Sequence, residues 1–122
     1  GSFYRPAVKA KCRDGFCPIG PWVVNKEDVS SPEKLGINTF INDELIHSTS
    51  TDQLVHSLQK IVSYLSSFMT LQEGDLIIAG TPLRTEKLAL KAGDTVAIEI
   101  DSIGRLENSV VLESNINEAE LG

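Results

Sequence analysis

The spacing of apolar residues in the middle of the chain predicts one principal helix. Ser50, followed three positions later by Gln53, has the form of a capping box, and Asp52 suits the positive end of a helix dipole. We therefore predict an amphipathic helix that begins after Ser50, ends near Met69 and packs against a larger apolar surface. The residues of its apolar stripe, three or four positions apart, are Leu54, Val55, Leu58, Ile61, Val62, Leu65 and Met69.

Two segments before the helix predict a β-hairpin. Residues Ile37–Ile41 and Glu44–His47 both have the composition of short strands. Asn42 and Asp43 join them, and both residue types tolerate the positive φ angles of a tight turn. The two segments are therefore expected to pair in antiparallel fashion.

After the helix, the motif Leu-x-x-Gly-Asp occurs twice, beginning at Leu71 and at Leu90. A Gly-Asp step favours a tight turn, so each motif is expected to feed a strand. Leu76–Ala79 is uniformly apolar, as expected of a strand buried on both faces, whereas residues 95–101 alternate as in a half-exposed strand.

Together with shorter segments, these elements predict an α+β fold that is rich in strands. We expect residues 1–122 to form a single domain, because 122 residues, 41% of them hydrophobic, can build one core but not two. The shorter segments are a strand at Pro6–Lys11, an extended stretch at Trp22–Val24, a polar loop with helical turns at Asn25–Glu33, a turn at Ile103–Leu106, a last strand at Glu107–Glu113 and a frayed tail at 115–122.

Charge and hydropathy exclude several classes of partner. The net charge of −6 gives no reason to expect a nucleic acid as partner. No apolar run approaches the roughly 20 residues that a membrane helix needs, and the first residues lack the pattern of a signal peptide. The expected setting is the cytoplasm.

The two cysteines, Cys12 and Cys17, do not form a recognisable site by their spacing. Four residues separate them, which fits neither a redox Cys-x-x-Cys motif nor a zinc knuckle. A zinc site would need further ligands, and of the two histidines His56 lies off the apolar stripe, where a solvated position is expected. We expect reduced thiols packed within their loop, with a disulfide or a metal knuckle as the less favoured alternatives.

Two loops are candidate binding sites. In the first, residues 11–21, Lys11 and Arg13 leave a strand next to a glycine and two prolines, which would hold two cations in place for a carboxylate or an enolate. In the second, residues 79–82, Gly80 lets a ligand approach the backbone and Thr81 offers a hydroxyl and an N–H group. The alternative interpretations are a solvated basic surface and a simple turn after a strand.

The order of motifs along the whole chain resembles the C-terminal half of the fumarylacetoacetate hydrolase family. Residues 2–6 together with residues 9–17 resemble, more narrowly, the branch that degrades 4-hydroxyphenylacetate through homoprotocatechuate. The motifs that carry the family resemblance are Lys11, Asp14–Trp22, Asn42–Glu44, Thr51-Asp52, Met69–Asp75, Gly80–Pro82, Gly93-Asp94 and Gly104–Asn108.

The resemblance implies a fumarylacetoacetate-hydrolase-like fold and a metal-dependent enzyme acting on small oxo-acids. Enzymes of the narrower branch isomerise 2-hydroxyhepta-2,4-diene-1,7-dioate and decarboxylate 5-oxopent-3-ene-1,2,5-tricarboxylate. The resemblance also implies that Mg²⁺ or Mn²⁺, held by three acidic side chains, chelates the oxo-acid. Lys11 matches the family's active-site lysine, and Thr81 matches a threonine that contacts the substrate carboxylate. A contact between Arg13 and the distal carboxylate of a diacid is inferred from its charge.

Departures from the family pattern bear on activity. Asp43 stands where glycine is usual, His47 where glutamine is usual, and Ala79 where threonine is usual. The family's metal ligands belong to a segment that precedes the matching one, and residues 1–10 contain no Asp or Glu. We therefore assign no metal ligand within this chain and expect it to be part of a longer catalytic domain, inactive by itself.

Two alternatives remain open. The chain is either part of such an enzyme or a non-catalytic module of the same fold that self-associates. Loss of neighbours around Leu76–Ala79 would favour a homodimer or a domain-swapped oligomer. Within the family, an acylpyruvate hydrolase or an oxaloacetate decarboxylase is a further possibility.

Overall fold

The computed structural model of the protein describes residues 12–80 and 89–112. In this part of the chain, four strands form one antiparallel sheet in the order β2-β1-β3-β4, accompanied by one α-helix. The α+β interpretation is therefore confirmed. The elements are β1 (Gly36–Ile41), β2 (Glu44–Ser50), α1 (Leu58–Ser66), β3 (Thr95–Ile100) and β4 (Gly104–Ser109), with single 3₁₀ turns at Lys26–Asp28, Pro32–Lys34 and Thr51–Gln53. The predicted strand at Pro6–Lys11 and the tail at 115–122 lie outside the described residues.

The predicted hairpin is present as β1 and β2. Asn42 and Asp43 form the turn with φ angles of 51° and 63°, as their residue types allow. The amide side chain of Asn42 also ties the turn to the start of β3, because its Oδ1 accepts from the Thr95 N–H at 2.9 Å and its Nδ2 donates to Asp94 at 2.9 Å. The hairpin is thereby fixed to a strand that lies more than 50 positions away.

Both Gly-Asp motifs form the predicted turn, and they do so with the same hydrogen bonds. The carboxylates of Asp75 and Asp94 each accept from a backbone N–H three residues earlier, at 2.8 Å in both turns. Gly74 and Gly93 have φ angles of 93° and 91°, which a residue with a side chain rarely adopts.

The segment after the first of these turns is not the buried strand that we predicted. Leu76–Ala79 has no strand structure, and Leu76 and Ile78 are 68% and 85% exposed. The apolar run fits a two-sided buried strand only if neighbouring strands are present, and the sheet of the described residues does not include them.

The helix is shorter than predicted and begins seven residues later. Ser57 caps α1 by accepting from the Lys60 N–H at 3.2 Å, and the carboxylate of Glu33 accepts from the N–H groups of Leu58 and Gln59. Ser50 makes no side-chain cap, so the predicted capping box is wrong. Residues 51–57 do not join the helix, because Thr51 is buried and its side chain is hydrogen-bonded to the backbone of Leu35.

The last strand begins earlier than predicted. The chain turns at Asp101–Ile103, where Ser102 has a φ angle of 61°, and β4 runs over Gly104–Ser109. The predicted turn at 103–106 is therefore wrong, because Ser102 rather than Gly104 lies at the tip of the turn.

Thr51 is the polar centre of a small core that contains Leu35. Its Oγ1 accepts from the Leu35 N–H at 2.9 Å and donates to the Pro32 carbonyl at 2.8 Å.

We expect Thr51→Val, which keeps the shape of the side chain but removes both hydrogen bonds, to lower the free energy of unfolding by about 1–3 kcal/mol. Urea denaturation checks this, with Thr49→Val as control, because the hydroxyl of Thr49 bonds only at the surface. Equal loss in the two variants would contradict it.

Asp94 makes the stability of the β1–β3 connection depend on pH. Hydrogen bonds from the Asn42 side chain and the Lys91 N–H hold the pKa of Asp94 below its usual 3.8. A lowered folded-state pKa stabilises the protein fully above 3.8, and this contribution is lost as pH falls through the folded-state pKa. We therefore expect urea midpoints to fall less steeply below about pH 4 in Asp94→Asn than in the natural chain. Parallel pH curves for the two proteins would contradict the assignment.

Candidate functional site

The structure describes half of the predicted site. Arg13 and Gly80 lie within the described residues, whereas Lys11 and Thr81 lie just outside them. The assembly of these four residues into one site therefore stays a prediction. Arg13 and Gly80 each show the backbone conformation of one of the two candidate loops.

Arg13 begins a tight turn at the surface. The Phe16 N–H donates to the Arg13 carbonyl at 3.1 Å, and Gly15 has a φ angle of 76°. Arg13 is half-buried, while Cys12 and Cys17 on either side of the turn are exposed free thiols. The prediction that the cysteines pack inside is wrong, because the turn carries their side chains along the outside of the loop.

The second candidate loop presents open backbone. Gly80 is exposed, with a φ angle of 93°, and no atom lies within 4 Å of the place where a Cβ would be. Glycine is thus favoured by conformation rather than by crowding. The free space beside it is compatible with the close approach of a ligand to the backbone.

A contact that sequence reasoning missed joins the first loop to the sheet. The indole Nε1 of Trp22 donates to the Ile103 carbonyl at 2.6 Å, and the ring lies against Gly104. The available signals were the tryptophan that closes the Gly-Pro-Trp motif and the glycine that opens β4. Neither residue indicates from the sequence that the other is its partner, because 81 positions separate the two ends of the hydrogen bond.

Arg105 is surrounded by carboxylates and is not available as an anion site. It contacts Asp43 at 2.9 Å, Glu107 at 3.1 Å and Glu99 at 3.7 Å, and its guanidinium lies 4.8 Å from the centre of the Phe40 ring. The hydrogen bonds that Arg105 donates to Glu107, together with the charges of the acidic neighbours, raise the pKa of Arg105. Asp43, which stands where glycine is usual in the family, is thus an ion-pair partner of Arg105.

The histidines and acidic residues of the described part do not form a metal centre. No group of three or more His, Cys, Asp or Glu side chains in residues 12–80 and 89–112 could hold an ion. His47 lies on β2 with a buried Nε2 that has no hydrogen-bond partner, and His56 is exposed before α1. The described residues therefore do not fit a divalent ion by themselves, and we derive no chemical step through one.

No helix in the described part of the chain is long and apolar enough to cross a membrane.

Comparison with known proteins identifies the class. The C-terminal domain of the fumarylacetoacetate (FAA) hydrolase family matches residues 2–111, so the chain belongs to this family. It is 47% identical over 116 residues to a 4-hydroxyphenylacetate degradation bifunctional isomerase/decarboxylase of Salmonella dublin. That match covers 95% of this chain but 27% of the relative. A mitochondrial oxaloacetate tautomerase of Xenopus laevis is 40% identical over 106 residues, which are 83% of this chain and 33% of that protein.

Solved structures agree with the family assignment. Maleylpyruvate hydrolase from Sphingobium superposes with a TM-score of 0.75 at 35% identity, covering 88% of this chain and 40% of that one. A structure of maleylpyruvate hydrolase from Sphingobium in complex with manganese(II) and pyruvate has a TM-score of 0.71 at 36% identity, over 80% of this chain and 36% of that one. The chain thus spans about a quarter to two fifths of the length of these relatives.

Proposed function

We propose that the chain is the substrate-gripping part of a divalent-metal-dependent enzyme acting on 2-oxo or 2-hydroxydienoic di- and tricarboxylic acids. The particular reactions are the isomerisation of 2-hydroxyhepta-2,4-diene-1,7-dioate and the decarboxylation of 5-oxopent-3-ene-1,2,5-tricarboxylate in homoprotocatechuate catabolism. The observation that supports this most is the 47% identity to a bifunctional isomerase/decarboxylase across 95% of the chain.

Each proposed site residue has a chemical role that suits such acids. The ammonium group of Lys11 stabilises the negative charge that develops on the oxo or enol oxygen. The hydroxyl and N–H of Thr81 bind the adjacent carboxylate, and Gly80 keeps the backbone accessible, as its open surroundings allow. Arg13 binds the distal carboxylate that distinguishes a diacid from pyruvate.

The metal is proposed from the family rather than from these residues. Mg²⁺ or Mn²⁺ would bind the oxo-acid end of the substrate and stabilise its enolate form. Its acidic ligands are proposed to lie in the preceding part of the family domain, and the complete enzyme is proposed to be a cytoplasmic homodimer.

A hybrid enzyme tests the proposal. Residues 2–111 would replace the matching segment of the Salmonella dublin relative, so that the relative supplies the rest of the domain. We expect the hybrid to catalyse the isomerisation and the decarboxylation. A hybrid that folds and binds Mn²⁺ like its parent, yet catalyses neither reaction, would overturn the proposal. Activity on acylpyruvates or oxaloacetate alone would favour the other enzymes of the family.

A calorimetric titration of the 122-residue chain with Mn²⁺, with and without oxalate, tests where the metal ligands lie. We expect no stoichiometric binding, because residues 1–10 contain no Asp or Glu and the described residues provide no cluster. Binding of one ion per chain, tightened by oxalate, would show that a metal site exists within this sequence and would contradict the assignment.

A second candidate function is a non-catalytic, self-associating module. The exposed apolar segment at 76–78 and the small number of buried apolar side chains in the described residues favour it. Buried positions there are limited to Leu35 and Ala97 among apolar residues. The hybrid enzyme separates the two candidates, since a module that has lost its catalytic groups would not support turnover.

A further inference from the structure

We propose that Trp22 is a positioning residue that anchors the loop of residues 12–21 to the sheet by packing against Gly104. The inference rests on the proposed function for its catalytic meaning, since this loop carries Arg13 and follows Lys11. The contact itself stands on geometry alone.

The contact between Trp22 and the β3–β4 turn combines a hydrogen bond with ring packing. The indole N–H donates to the Ile103 carbonyl at 2.6 Å, which satisfies the polar atom of the side chain. At the same time, the six-membered part of the ring covers the Cα of Gly104. Trp22 is still 59% exposed, so these two interactions, rather than burial, hold the indole at the turn.

Gly104 leaves room for the ring that no other residue would leave. A Cβ at this position would lie 2.6 Å from Cζ2 and 3.2 Å from Cε2 of Trp22, well inside contact distance. The backbone of Gly104 has a φ angle of 133°, which also disfavours a side chain. The clash with the ring and the φ angle both require glycine, but only the clash involves Trp22.

The turn that receives Trp22 is itself held by β1. The carboxylate of Asp101 accepts from the Gly36 N–H at 2.9 Å, and the Asp101 N–H donates to the Gly36 carbonyl at 3.0 Å. Ile103 closes the turn by donating its N–H to the Ile100 carbonyl at 3.0 Å. The indole is therefore attached to a fixed part of the sheet.

The loop has little apolar packing to hold it. Phe16, Ile19 and Val23 are 55%, 67% and 95% exposed, so they bury little surface against the sheet, and Trp22 differs from them by its hydrogen bond rather than by its burial. The Trp22 contact links this weakly packed loop to the β3–β4 turn, 81 positions away. Releasing the indole should loosen the loop that carries Arg13 while the sheet stays folded.

Amide and indole hydrogen exchange in the 122-residue chain tests the anchor. Trp22 is the single tryptophan, so its Nε1–H gives one indole signal in a ¹⁵N-labelled sample. We expect Gly104→Ala to shift this signal and to speed its exchange at least tenfold, because the added methyl displaces the ring. Gly93→Ala is the matched control, since Gly93 has a φ angle of 91° but open space around it.

Trypsin cleavage after Arg13 reports the release of the loop. We expect Gly104→Ala and Trp22→Ala to raise the rate of this cleavage at least tenfold, and Trp22→Phe, which keeps a ring but loses the N–H, to raise it less. Cleavage after Lys60 in α1 should stay unchanged in all of them. This control shows that the sheet and helix remain folded.

The outcomes separate this inference from the proposed function. Fast indole exchange in the natural chain, or equal effects of Gly104→Ala and Gly93→Ala, would overturn the anchor. Cleavage after Lys60 that rises together with cleavage after Arg13 would also overturn it, because the contact would then stabilise the whole fold. An inactive hybrid enzyme with the indole and trypsin results as expected would remove the proposed function and leave the anchor in place.

Discussion

Replacing Lys11 with methionine in the hybrid enzyme is expected to lower kcat/KM by about 10²-fold or more. The methionine retains most of the length and apolar character of the side chain but removes the positive charge. Since the proposed reactions pass through an enolate, the ammonium group contributes more to the transition state than to the bound substrate, and kcat should fall more than KM rises. Steady-state kinetics with the heptadienedioate substrate measures both.

Lys9→Met is the matched control for Lys11. Lys9 lies two residues earlier in the same basic segment, so the substitution makes the same change in net charge. We expect the control to retain activity within about twofold, because the proposed mechanism gives Lys9 no role. Equal losses of kcat/KM in the two variants would show that the effect comes from the change in net charge. Undiminished activity in Lys11→Met would show that Lys11 has no role in the mechanism.

The isolated 122-residue chain is expected to self-associate, and Ile78→Lys is expected to return it to a monomer. Leu76 and Ile78 are 68% and 85% exposed, and no hydrogen bond joins residues 76–80 to another residue in the described part of the chain. Such an apolar segment with free backbone groups can add to a strand of a second copy. A lysine at position 78 would leave a charge in that contact without a partner.

Light scattering coupled to size-exclusion chromatography measures the mass of each species. Val55→Lys is the control, because Val55 is 92% exposed but lies in the bend before α1, away from the apolar segment. We expect the natural chain and Val55→Lys to have the same mass, at least twice that of Ile78→Lys. A natural chain that is monomeric at all concentrations would contradict the expectation and weaken the second candidate function.

Features that depend on neighbouring residues could be predicted from the sequence. Asn42 and Asp43 adopt positive φ angles because of their own side-chain chemistry, so these two residues were enough to predict the β1–β2 turn. The paired Gly-Asp turns followed for the same reason, since each carboxylate reaches a backbone N–H three residues away. The family resemblance likewise rested on short motifs in a fixed order, and the match over residues 2–111 confirmed it.

Features that depend on distant residues could not be predicted in this way. The first turn of α1 is capped in part by Glu33, which is 25 residues from Leu58, so the local capping signal at Ser50 was misleading. Leu76–Ala79 has the composition of a buried strand, but burial also requires neighbours that the described sheet does not provide.

The local sequence determined the β1–β2 turn, both Gly-Asp turns, the type of most elements and the class of the protein, because these depend on side chains within a few positions of one another. The tertiary structure decided where the helix begins, which apolar residues are covered and where Trp22 binds. The pairing of Trp22 with Gly104 shows the physical reason. A hydrogen bond and a packing contact across 81 positions exist only after the chain has brought the two segments together.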